Sequence, residues 1–336
     1  MKSLLPLPHL VFGLAAFSLT GLGMGCSSDS PDATNSSAGT SSGGSQSATA
    51  GSTSAGSGTA GSTSGGMDVR GSVVVTLNDA VGDGADYSSL IGRFFSGPTP
   101  DPFPLKHDTT DGDCELKVPL LPFCNEPCSP DVCTGDDQCT PYPAPVAVGD
   151  IAVNGLGDAL TLAPATTMIV YQSPSLAYPP CEAGAKVTAS SDGFALEAEC
   201  IAPLELTGPE PLPVKTGEVV HVTWKAAASG AKSRIRIGLD VSHHGGKKGQ
   251  IDCEVPDTGS FDIPAPLVTK LIGLGLAGFP TINVNRVSLG VDAKNAEVSL
   301  LLSSSVTRPV DTGVKSCLDD AECDDGQTCS KAGICE

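Results

Sequence analysis

Arg234-Ile235-Arg236-Ile237-Gly238-Leu239-Asp240-Val241 decides the fold class. Ile235, Ile237, Leu239 and Val241 alternate with Arg234, Arg236 and Asp240. A repeat of two puts the apolar set on one face of a strand and the charges on the other. That is the pattern of an antiparallel sheet with one wet side. The same alternation extends outward in both directions. In Glu218–Lys225, Val220, Val222 and Trp224 oppose His221 and Thr223. Further strands are predicted at 72–77, 114–120, 151–154, 185–189, 194–201, 250–255, 259–263, 281–288 and 297–306. Ser190-Ser191-Asp192-Gly193 supplies a hairpin turn between two of them. One short helix is expected at 266–273, with Pro266 in its first turn. Turn signals fall about every ten residues, as in a β-sandwich. The expected fold is therefore all-β: an antiparallel sandwich, immunoglobulin-like or jelly-roll-like. Residues 212–312 carry the sandwich, and 67–211 form a β-rich region containing a cysteine cluster at 114–139.

The ends of the chain read differently. Lys2 and a broken apolar run to Leu22 form an export leader over residues 1–25. The run, interrupted by Pro6, Pro8 and His9, is a poor membrane span. Residues 26–66 are mostly Ser, Gly, Thr and Ala, with a loose repeat in Ala50-Gly-Ser-Thr-Ser54 and Ala60-Gly-Ser-Thr-Ser64. Such a stretch has nothing to bury and behaves as a coil, about 35 Å across for some 40 residues.

The leader ends in Gly23-Met24-Gly25-Cys26, which resembles the lipobox of bacterial lipoproteins. That resemblance implies a diacylglycerol on the Cys26 thiol and a chain that begins at Cys26. Gly23 stands where the family prefers Leu, and Ser27 follows the cysteine rather than the Asp of inner-membrane retention. The implied address is the cell envelope, at the outer membrane, with the tether lifting the body off the lipid.

Composition limits the partners. The formal net charge is -19 and the isoelectric point near 4.4, so nucleic acid and anionic lipid surfaces are repelled. The expected partners are the membrane, through the lipid, and a protein or glycan of the envelope. Of thirteen cysteines, one is assigned to lipid, leaving an even number for disulfides in an oxidising compartment. Cys114, Cys124, Cys128, Cys133 and Cys139 form one odd group, and Cys181, Cys200 and Cys253 another. If the tail closes on itself, a bridge must join the two groups. Cys181 with Cys200, and Cys253 with the early cluster, is the expected arrangement. Zinc is the competing reading of the cluster, but repeated C-x2-C pairs are missing.

The tail, 313–336, is the most specific motif of the body. Cys317, Cys323, Cys329 and Cys335 are separated by equal intervals, and so few residues need disulfides to hold a fold. With Asp320 and Gly326, this run resembles the Dickkopf N-terminal cysteine-rich pattern, which overlaps EGF-like modules. The resemblance covers about twenty residues and implies a small extracellular module. Wnt antagonism is not implied. The whole chain also resembles Gram-negative lipoproteins built as leader, tether, β-rich body and cysteine-rich tail, whose function is mostly unassigned.

Catalytic chemistry finds little support in the sequence. Asp240, His243 and His244, at a strand end beside Gly245 and Gly246, are the candidates for a metal or an acid–base pair. Their bland reading is a glycine-rich turn. The acidic run from Asp320 has Asp325 where a calcium loop needs Gly, and Lys331 where it needs Glu. Gly273-x-Gly275-x-x-Gly278 follows a helical run and precedes Pro280, the wrong context for a dinucleotide site. No cofactor is expected. The leading expectation is a non-enzymatic binding or structural protein; the competing one is an exported hydrolase or carbohydrate-active protein using His243 or His244.

Overall fold

The structure, a computed structural model, describes residues 69–336 apart from 80–84, 166, 167, 174, 229, 243–245, 247, 316, 318, 331–334 and 336. The leader, Cys26 and the tether lie outside the described residues. The chain begins with β1 (Arg70–Asn78), β2 (Tyr87–Phe95), β3 (Leu105–Asp111) and β4 (Cys114–Pro119). β5 (Val132–Gly135) and β6 (Gln138–Thr140) form a small cysteine-rich hairpin. Next come β7 (Ile151–Asn154), β8 (Leu160–Leu162), β9 (Tyr171–Gln172), β10 (Lys186–Ser191) and β11 (Phe194–Glu199). The two-residue strands β12 (Leu206–Thr207) and β13 (Leu212–Pro213) lead to β14 (Val220–Trp224), β15 (Arg234–Asp240), β16 (Gln250–Pro256) and β17 (Ser260–Ile263). α1 (Ala265–Gly273) precedes the two longest strands, β18 (Thr281–Val291) and β19 (Val298–Asp311).

The molecule is all-β and is organised around one broad sheet, ordered β3-β4-β16-β15-β18-β19-β1-β2-β9, with β13 also on β19. Most ladders are antiparallel, but β1 joins β19 in parallel, as does β13. The sheet runs across residues 211 and 212: β1 pairs with β19, and β4 with β16. The early region thus adds strands to the later one.

One face of this sheet is apolar on either side of a polar seam. Ile235, Ile237 and Leu239 on β15, Ile282 and Val284 on β18, and Leu300 and Leu302 on β19 are almost wholly buried. Burying each such side chain stabilises the fold by about 1.5–3 kcal/mol. Two smaller sheets cover this face. β12-β14-β17 and α1 cover one end, with Val222, Trp224, Leu267 and Leu271 in a common core with β15 and β16. β11-β10-β7-β8 covers the other, packing Ile151, Val187 and Leu196 against Val73, Val75 and Leu300.

The seam between the two covering sheets is polar and fully bonded. Arg286, on the inner face of β18, pairs there with Asp257 from the β16–β17 turn, both sealed from solvent. Ser288 Oγ accepts from Glu199 N at 3.1 Å, and Ser304 Oγ from Leu204 N at 2.8 Å. Farther along, β11 crosses so close over Gly290 that a Cβ there would sit 1.9 Å from the Glu197 carbonyl oxygen. Only glycine permits that approach.

Six disulfides staple the body. Cys114–Cys253 joins the two odd cysteine groups, and Cys181–Cys200 closes within the second. Cys124–Cys133 and Cys128–Cys139 knot the β5–β6 lobe. The tail is disulfide-rich: Cys317–Cys329 and Cys323–Cys335 interlace around a 3-10 turn at Asp320–Glu322.

Candidate functional site: a polar groove on the open face of the sheet

The opposite face of the broad sheet carries a groove of about 840 Å³. It is built by the residues that alternate with the core. Strand register orders them in three rows across the sheet. The middle row runs Glu115, Asp252, Gly238, Asn283, Thr307 over β4, β16, β15, β18 and β19. One row beside it is Lys117, Gln250, Asp240, Thr281. The other is Glu254, Arg236, Asn285, Ser305, approached by Asp113 from the β3–β4 turn. Gly238 therefore lies at the centre of the floor. Asp252 and Asn283 flank it, two strand spacings or about 9.6 Å apart.

These side chains hold one another. Lys117 Nζ donates to Glu115 Oε1 at 2.5 Å and to Asp252 Oδ2 at 3.0 Å. Gln250 Nε2 donates to the other Asp252 oxygen. Arg234 and Arg236 share the two oxygens of Glu254 through their Nε groups, at 2.8 and 2.9 Å. Asn283 Nδ2 donates to Ser305 Oγ at 3.0 Å and Thr307 Oγ1 at 2.7 Å, and Asn285 donates to Asn283 Oδ1. Among the described residues, the terminal nitrogens of Arg236 have no protein partner, which leaves them turned to solvent.

The electrostatics follow from these pairings. The hydrogen bond from Lys117, with its charge and that of His107, keeps Glu115 below the usual carboxylate range despite some desolvation. Burial pushes Glu254 up, but Arg236 and Arg234 outweigh it and the net direction is down. Lys117 is raised by Glu115 and Asp252. Glu115, Lys117 and Glu254 are thus each held in their charged forms by their partners.

Its polarity is not simply that of any solvent face. Toward β2 the same face turns apolar, with Ile91, Val74, Leu301 and Leu289 in register across four strands. The polar patch consequently has an edge.

The other candidates resolve as follows. His243 and His244 lie outside the described residues. Asp240 reaches the groove, and its Oδ1 is taken by Ser242 N and Oγ at 2.7 and 2.9 Å, capping the turn that follows β15. The sulfurs of Cys124, Cys128 and Cys139 lie within 4.8 Å of one another, as do those of Cys317, Cys323 and Cys329. All are oxidised in disulfides and offer no thiolate to a metal. His221 faces Asp262 across β14 and β17, with more than half of each side chain exposed.

Sequence reading assigned no binding role to Asp252, Asn283, Asn285 or Gln250. One signal was present. Two asparagines alternate with Ile282, Val284 and Arg286 in mid-strand, where asparagine is disfavoured. Residues that weaken a strand yet occupy its centre point to work on its outer face.

No protein-family model matches the chain. No curated protein matches it either.

Proposed function

We propose that this protein is a lipid-anchored, non-catalytic binding protein of the bacterial cell envelope that holds its ligand in the polar groove. The observation that carries the reading is the row Glu115, Asp252, Gly238, Asn283, Thr307: a floor with no side chain at its centre, walled by pre-oriented hydrogen-bonding groups. Walls fixed by their own cross-strand bonds lose little entropy when a ligand arrives. A general acid near neutral pH needs a raised carboxyl, whereas Glu115 and Glu254 are both held down. Neither carboxyl is therefore poised as a general acid. The lipobox resemblance at Cys26 and the tether after it supply the attachment and the reach.

The test separates anchor from groove. Full-length protein carrying Cys26→Ala, and so no lipid, is sedimented with isolated cell envelopes, with and without Gly238→Leu. The expected result is retention that Gly238→Leu abolishes; retention indifferent to Gly238→Leu overturns the groove as the binding site. Palmitate incorporation that survives Cys26→Ala overturns the anchor.

A further inference from the structure

We infer that the ligand of the groove is a neutral saccharide, bound with one sugar ring over Gly238 and its hydroxyls engaged by Asp252, Gln250, Asn283, Asn285 and Arg236. This rests on the groove being the binding site, and it follows by elimination and by fit.

An apolar ligand has nothing to lie on. Among the described residues no aromatic lines the groove, and Ile237, Cys114 and Cys253 contribute from strands whose side chains there point into the core. Ligand pockets for apolar molecules are lined by hydrophobic side chains, whereas the side chains walling this one end in amide, carboxylate, hydroxyl, ammonium and guanidinium groups. An anion is disfavoured, because Asp113, Glu115, Asp240, Asp252 and Glu254 outnumber Lys117 and Arg236 along the walls. A cation is not called for either. Four of these carboxylates are already engaged: Glu115 and Asp252 share Lys117, two arginines hold Glu254, and Asp240 caps its own turn. What remains is an uncharged molecule rich in hydroxyl groups.

The fit is specific. Planar amides, carboxylates and a guanidinium present their hydrogen-bonding atoms in pairs, and adjacent hydroxyls of a sugar ring present theirs in pairs too. Each hydroxyl both donates and accepts, so a wall mixing the Asp252 acceptors with the Arg236 donors suits it. Gly238 leaves room for a ligand between the walls: a Cβ there would meet Gln250 Nε2 at 3.3 Å and Asp252 Oδ1 at 3.6 Å, so the hydrogen-bonding atoms of both side chains sit directly over it. The groove runs on past Gly238 in both directions along β15, toward Asp240 and Thr281 at one end and Arg236 and Asn285 at the other. It therefore admits the interior of a chain and not only its tip.

The experiment uses the full-length Cys26→Ala protein and immobilised dextran, 1,4-linked galactan and 1,6-linked mannan, neutral polymers whose interior residues carry adjacent hydroxyls. Periodate, which cleaves carbon–carbon bonds between adjacent hydroxyls, serves as the chemical control. The expected result is retention on at least one saccharide. Periodate treatment of the matrix and Gly238→Leu each abolish it, and Asn283→Ala weakens it about tenfold, the worth of a hydrogen bond to a polar group. Gly238→Ala, whose Cβ meets backbone only at 3.9 Å, the Asn283 carbonyl oxygen, controls for folding through a thermal midpoint that stays close to that of the parent. If no saccharide is retained, the proposal fails. Envelope retention that depends on Gly238 but survives periodate and is lost to protease also overturns it, while leaving the groove in place as a site for a peptide.

Discussion

Arg286 and Asp257 meet bidentately inside the protein, Nε to Oδ2 at 2.6 Å and Nη2 to Oδ1 at 3.1 Å, with 2% and 3% of their side-chain surfaces exposed. The rest of each group is also bonded. Arg286 donates to the carbonyls of Pro203 at 2.9 Å and Lys225 at 2.6 Å. Asp257 accepts from Trp224 Nε1 at 2.7 Å and Ser233 Oγ at 2.8 Å. The pair thereby ties the segments after β11 and β14, the start of β15 and the β16–β17 turn to the middle of β18. Removing one partner strands a buried charge. Arg286→Met is expected to cost about 3–5 kcal/mol in urea unfolding. Arg286→Met with Asp257→Leu should cost less than the two single changes summed. Strict additivity would mean that the ion pair is not the coupling element.

The same carboxylate sets the acid limit. Burial alone would raise Asp257, but Arg286, Ser233 and Trp224 together hold it below its ordinary 3.8. The folded protein then binds that proton less readily than the unfolded chain. The contribution is complete above 3.8 and is lost as pH falls from there toward the folded value. Glu115 and Glu254 act in the same direction below 4.5. Lys117 is raised, so its contribution persists to 10.5 and is lost at higher pH. The urea midpoint should stay level between about pH 5 and 10 and fall outside that range. A midpoint unchanged from pH 7 to pH 3 would contradict this.

Two glycines on the broad sheet should respond in opposite ways. At Gly290 a Cβ meets the Glu197 carbonyl, and backbone cannot yield. At Gly238 it meets the end of a flexible side chain. Gly290→Ala should lower stability by more than 2 kcal/mol by prying β11 from β18. Gly238→Ala should leave stability within about 1 kcal/mol and reduce ligand retention. Thermal unfolding and binding measured on both variants decide it; equal thermal losses would refute the contrast.

How much of this was legible follows from what each strand shows. β15 announces itself because its apolar residues alternate with charged ones, Gly238 alone excepted. β2 does not, because its inner positions are Ser88, Leu90, Gly92 and Phe94. Gly92 must be small, since a Cβ there would lie only 3.1 Å from the Cβ of Tyr171. The needs of packing thus erased the hydrophobic signal. β3, Leu105–Asp111, is an edge strand with almost no buried residue, and burial leaves no pattern there to read. Parity demanded a bridge between the cysteine groups, yet which early cysteine it used depended on β4 lying beside β16. The groove has the same difficulty. Its walls come from positions 115 to 307, and only the register of five strands brings them together. Alternation reveals which face a residue takes, whereas neighbours across a sheet are set by long-range pairing, which local sequence does not encode.

The Cys114–Cys253 bridge joins stability to the site. It links β4 to β16 on the core face, directly behind the Glu115–Asp252 wall of the groove. β4 meets β16 in register only from Cys114 to Lys117, against Cys253 to Gln250. With a separation of 139 residues, the bridge closes a very long loop and stabilises by about 5 kcal/mol in the chain-entropy account. Cys114→Ala with Cys253→Ala should therefore do more than lower the urea midpoint. Amide exchange should accelerate in β3 and β4, whose remaining hold on the sheet is this short ladder, while β15 and β18 stay protected in the interior. Lys117 would leave with β4, Asp252 would lose its counter-charge, and retention of ligand should fall in step with the loss of protection in β4. If β4 exchanged no faster than β15 in the double variant, the ladder alone would be holding that wall, and the bridge would be serving stability without shaping the groove.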